Sequence, residues 1–163
     1  MSARVHPPAG LDSVERMELP RRLVPATREG ARALGEWYWE ELERSSRGLI
    51  RARVESDGLR VVLGRAVTLL RFGPPDLAVV GEDVECRYPI VGGTLVSHPG
   101  GSLTIAQREG PVPQLEVTVS EYRPSLAERG SRLHRGVLYT ALQAPLHRSV
   151  SRRFLTRTAR REQ

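Results

Sequence analysis

The chain has 163 residues, 39% of them hydrophobic, which is enough for one domain with a real core. It sets 25 arginine and lysine side chains against 19 carboxylates, for a formal net charge of +6. Its single cysteine excludes an internal disulfide framework, and no Cys/His spacing reads as a zinc site. No run of about 18 apolar residues occurs that would span a bilayer, and the opening MSARVHPPAGLDSVER lacks the apolar middle of a secretory signal, so a cytoplasmic protein is expected.

Residues 1–12, with Pro7 and Pro8 adjacent, are expected to be poorly ordered. A single domain is expected over residues 13–156, followed by a basic tail over 157–163. From Ser13, Val14, Arg16 and Glu18 alternate with Glu15, Met17 and Leu19 until Pro20, a weak edge strand. Thr27 has the side-chain oxygen of an N-cap, and a helix is predicted from Arg28 to about Ser45. Ala31, Leu34, Tyr38 and Leu42 fall on one face of it, and Glu36, Glu40 and Glu43 on the other. Trp37 and Trp39 point about 200° apart by the helical period, so both cannot be central core. Trp37 is a candidate ligand contact at the mouth of a cavity.

Strand signals then follow one another. Leu49 to Glu55 and Leu59 to Gly64 flank Ser56-Asp57-Gly58, a strong hairpin cue. Val67 to Phe72 and Leu77 to Val80 come next, separated by Gly73-Pro74-Pro75-Asp76. Val84, Cys86, Tyr88 and Ile90 alternate with polar neighbours, as do Leu103 and Ile105, and then Leu115, Val117 and Val119. The connections are too short for parallel crossovers, so hairpins and a meander are expected. Beyond Tyr122, Leu138, Leu142, Leu146, Val150 and Phe154 recur every four residues as a long C-terminal helix, kinked or restarted at Pro145. The fold class is therefore α+β: a curved antiparallel sheet of six or seven strands with an N-terminal helix and a long C-terminal helix.

That element order, from Ser13 to Phe154, resembles the helix-grip arrangement of the START and Bet v 1-like superfamily (SRPBCC), in which a curved antiparallel sheet wraps the last helix and encloses a cavity. The resemblance implies an apolar small-molecule ligand, since such folds host lipid carriers, hormone receptors, polyketide cyclases and aromatases. A local stretch, Gly93-Thr94-Leu95-Val96-Ser97-His98-Pro99, is similar to the Gly-Thr-Leu-Pro-x-His-Pro motif of a family of uncharacterised bacterial and plant proteins, with Val96 in place of its proline.

Among groups able to move protons, His98 stands in a loop before Pro99-Gly100, and Glu121 continues the parity of an otherwise apolar strand face. His147 lies one helical turn after Gln143 and two after Tyr139, a ridge that would face a cavity if the helix does. His98, Glu121 and His147 are the candidate catalytic residues. Trp37, Cys86, Tyr88, Tyr139 and Gln143 are the candidate ligand contacts. Cys86 reads as a small buried hydrophobe. Glu121 paired with Arg87 or Arg71 inside a cavity would be a candidate acid. No dinucleotide fingerprint, phosphate loop or Ser-His-Asp order occurs, so neither cofactor nor metal is expected.

The leading expectation is binding of an apolar or polycyclic molecule between sheet and C-terminal helix, with cofactor-independent cyclase or aromatase chemistry as its catalytic form. The alternative is a non-enzymatic adaptor that docks on nucleic acid, anionic lipid or an acidic protein. It would use the arginine-rich C-terminus, where Arg148, Arg152, Arg153, Arg157, Arg160 and Arg161 face only Glu162.

Overall fold

The alternating stretches become strands, and the threonine before the helical stretch becomes its cap. The computed structural model describes residues 11–96, 99–122 and 156, with only the backbone for 11–13, 121 and 122. In chain order these form β1 (Leu11–Glu18), α1 (Arg28–Ser45), β2 (Ile50–Glu55), β3 (Gly58–Leu63), β4 (Val67–Phe72), β5 (Asp76–Val80), β6 (Asp83–Gly92), β7 (Ser102–Arg108) and β8 (Gln114–Tyr122). Thr27 is extended and its Oγ1 accepts from the Gly30 amide at 3.0 Å, satisfying one of the free donors of the first turn. The described residues thus form an α+β fold, with an eighth strand contributed by the weak alternation before the helix. The expected long C-terminal helix lies outside the described residues.

All pairings are antiparallel, in the order β1-β8-β7-β6-β4-β3-β2, with β5 also pairing with β6. The sheet departs from the expected meander at one point, because β4 pairs with β6 and not with β5. The ten residues of β6 are long enough for two neighbours on one edge. Asp83 to Arg87 take β5, and Ile90 to Gly92 take β4. The hand-over falls at Pro89, whose carbonyl accepts from the Gly73 amide at 2.9 Å and which has no N–H to give a strand.

Directly opposed residues project to the same side of a sheet. The inner face therefore gathers Leu59, Val61, Phe72, Val84, Cys86, Tyr88, Ile90, Leu103, Ile105, Leu115 and Val117, all buried, and α1 lays Ala31, Leu34, Tyr38, Trp39 and Leu42 into the same core. The segment joining β1 to α1 is held onto β7 by Gln107. Its fully buried amide accepts from the Leu23 and Val24 N–H groups at 2.7 and 3.1 Å and donates to the Val24 carbonyl at 3.0 Å. Three bonds satisfy a polar group that would otherwise be costly to bury.

Candidate functional site

The chemistry-bearing residues that the described structure brings together lie in the seam between α1 and β6. At Gly35 the helix backbone runs directly over β6, and a Cβ there would collide with the Tyr88 hydroxyl and come within 2.7 Å of the Cys86 Sγ. Only glycine allows this approach. One turn along, the Trp39 ring meets Tyr38 edge-on at 5.3 Å between centroids, Tyr88 edge-on at 5.2 Å and Phe72 at a tilt at 5.3 Å. Phe72 and Tyr88 are themselves 6.1 Å apart. These separations and angles suit the quadrupoles of aromatic rings.

The seam is buried, and its titratable groups behave accordingly. Burial pushes the Cys86 thiol up to about 11, against the opposing pull of its hydrogen bond with Tyr88. The Tyr88 phenol is also driven well above its ordinary value, chiefly by burial and then by the neighbouring Cys86. Both groups are protonated at neutral pH, so Cys86 has no thiolate to offer as a nucleophile. The Trp39 indole N–H is buried and is directed at the Tyr88 hydroxyl, whose upward shift it opposes, without reaching full hydrogen-bond geometry.

Of the residues singled out in the sequence, Cys86 and Tyr88 meet here. Trp37, on the same helix, is half-buried at the edge of the core, while Trp39 is the tryptophan at its centre, 7% exposed. The strand backbone reaches Glu121, but its side chain is not among those described. Between Val119 and Tyr122 the register against β1 shifts, with two steps on β1 facing three on β8. The expected pairing of Glu121 with Arg71 or Arg87 falls on a side chain outside the described ones. Arg71 opposes Arg60 and Arg87 opposes Thr104, both on the face turned away from α1. His98 lies outside the described residues. The ends of its loop are tied down: Val96 is in the core, the Leu95 amide donates to the Leu69 carbonyl at 3.1 Å, and the Gly100 amide donates to the Ile90 carbonyl at 3.1 Å. Tyr139, Gln143, His147 and the arginine-rich C-terminus also lie outside the described residues.

Sequence reasoning missed Trp39, Phe72 and Gln107. Gln107 carried a legible signal, because it continues the parity of Leu103 and Ile105, the same reasoning that drew notice to Glu121. Nothing in sequence spacing foretells that Phe72 on β4 and Tyr88 on β6 close around Trp39, since that depends on which strands pair. Among the described residues no group of His, Cys, Asp and Glu is placed to hold a metal ion, and no helix is long and apolar enough to cross a membrane.

No family model matches the chain. None of the curated proteins matches it either. Among solved structures, the crystal structure of Ara h 8.0201 is similar over 90% of this chain and 98% of its own, at 12% sequence identity and a TM-score of 0.38.

Proposed function

We propose that this protein is a helix-grip carrier of an apolar, ring-containing small molecule that bears one hydrogen-bond acceptor. The observation that supports this reading is the Trp39 indole N–H. It is a buried donor that meets only the Tyr88 hydroxyl, short of full hydrogen-bond geometry, and it is set in a box of aromatic rings with Tyr38, Phe72 and Tyr88. A buried donor left short of a full hydrogen bond costs up to about 1–3 kcal/mol, which a ligand oxygen would relieve, while the rings offer offset and edge contacts to a flat apolar body. The protonated Cys86 and Tyr88 favour binding over nucleophilic chemistry at this seam. In the catalytic form of the reading, a cofactor-free cyclisation, His98, Glu121 and His147 would move protons, with Trp37, Tyr139 and Gln143 lining the ligand.

The test compares a polycyclic ketone with its parent hydrocarbon by thermal shift and by quenching of tryptophan fluorescence. Both should bind, with the ketone tighter. Trp39→Phe, which keeps a ring and removes the N–H, should cost the ketone roughly five- to tenfold in affinity and leave the hydrocarbon unchanged, as expected for one hydrogen bond of about 1 kcal/mol. Absence of binding by either compound, or equal losses for both in the variant, would refute the proposal.

A further inference from the structure

On the face of the sheet turned away from α1, β2, β3 and β4 carry a row of like charges. Arg53 stands directly opposite Arg60, and Arg60 directly opposite Arg71. Arg51 shares the face one pleat along β2 from Arg53. Three strands at about 4.8 Å spacing put three guanidinium stems within roughly 10 Å of one another. One carboxylate answers them, Glu55, which pairs with Arg60. Arg51, Arg53 and Arg71 are exposed, and among the described residues none of the three has an ion-pair partner. Arg51 spends its Nε on the Gly48 carbonyl at 3.1 Å, and the Nε of Arg60 is buried with no hydrogen-bond partner among the described residues. Like charges placed directly opposite on neighbouring strands destabilise a sheet. The rest of the same face avoids this: Arg108 sits 2.7 Å from Glu85, 3.6 Å from Glu116 and 3.8 Å from Asp83, and Arg16 sits 2.7 Å from Glu116.

We infer that the arginine row on β2, β3 and β4 is a docking surface for the phosphodiester backbone of double-stranded nucleic acid, held without sequence readout. Among the described residues the row is a sheet face and not a pocket, so one small anion gains little there, whereas a polymer adds several exposed contacts and releases its condensed counterions. A duplex presents one charge per ~1.7 Å of axis, dense enough to satisfy a row of this spacing in any register. The row has no aromatic side chain on which single-stranded bases could stack. It also has no protruding apolar side chain to enter a bilayer: Val62, the valine in the row beside Arg51, is buried. This surface is distinct from the α1–β6 seam, so its failure would leave the small-molecule proposal untouched.

The experiment is fluorescence anisotropy of the full chain with a labelled mixed-sequence DNA duplex across a salt series. Four phosphate contacts predict a log–log salt slope near −3.6, or roughly a 150-fold loss between about 50 and 200 mM salt. The double variant Arg53→Gln/Arg71→Gln should flatten the slope by about 1.8 and weaken low-salt binding at least roughly tenfold. The lysine pair at the same positions should restore the slope, and Arg87→Gln, on the other half of the face, should bind as the parent does. Circular dichroism checks that each variant is folded. An unchanged double variant would overturn the inference. So would an equal loss in Arg87→Gln, which reports net charge alone, or binding that vanishes only when residues 157–163 are removed. Binding to phosphatidylserine vesicles or an acidic peptide with none to the duplex would overturn it as well.

Discussion

The outer face of the sheet is two surfaces built on one scaffold. Where β1, β8, β7 and β6 lie side by side, Arg16 and Arg108 are interleaved with Glu116, Glu85 and Asp83, and each cation has a carboxylate within 2.7 Å. Where β2, β3 and β4 lie side by side, Arg60 pairs with Glu55, and among the described residues Arg51, Arg53 and Arg71 have no carboxylate partner. The inner face follows the same division. Val84, Cys86, Ile105, Leu115 and Val117 on the first half are wholly buried, whereas β2 ends in Val54, which is 85% exposed. The first half holds the most completely buried side chains, while Leu59, Val61 and Phe72 of the second half join the same core and its outer face leaves charge uncommitted.

The most damaging way to break the first half is Gln107→Ala. It would strand the buried Leu23 and Val24 amides and the Val24 carbonyl and should cost about 3 kcal/mol or more in a denaturant titration, because each unsatisfied buried group costs about 1–3 kcal/mol. A loss under about 1 kcal/mol would mean the connector is not anchored on β7.

A second test uses Cys86. Its folded-state pKa is raised to about 11 from the ordinary 9.0, so the folded protein holds the proton more tightly than the unfolded chain does. This contribution is fully present below about pH 9 and is lost as pH climbs toward 11, at up to roughly 2–3 kcal/mol. Tyr88 adds a loss of the same sign at higher pH. Cys86→Ala should remove the first part of the alkaline slope. An identical slope in that variant would place the alkaline sensitivity elsewhere.

The finest comparison makes the same chemical change on both halves. Arg108→Gln leaves Asp83, Glu85 and Glu116 without their shared cation and should destabilise by about 1 kcal/mol at low salt. Arg71→Gln removes one of a row of like charges and should stabilise by a few tenths to about 1 kcal/mol. Added salt should shrink both effects. Shifts of the same sign in thermal melts would erase the distinction between the two halves.

Much of this architecture is legible in the chain. Val84, Cys86, Tyr88 and Ile90 announce a strand with one buried face by strict alternation, and Thr27 announces the start of α1, because both signals are local and depend only on the period of the backbone. The pairing of β4 with β6 is not local. It arises because β6 outruns β5 and because Pro89 cannot donate, and two facts separated by a turn have to meet before either matters. The aromatic box inherits that difficulty, since Phe72 reaches Trp39 and Tyr88 only through this pairing.

Periodicity and capping chemistry determined which residues turn inward, where the helix begins and that the strands run antiparallel, since those follow from dihedral geometry and short connections. Register alone decided the rest. An arginine's sequence neighbours do not say whether the side chain across the strand gap is a carboxylate or another arginine, yet a shift of one residue in pairing moves every side chain to the other face. The compensated network around Arg108 and the row of like charges at Arg53, Arg60 and Arg71, with Glu55 answering Arg60 alone, are consequences of that choice.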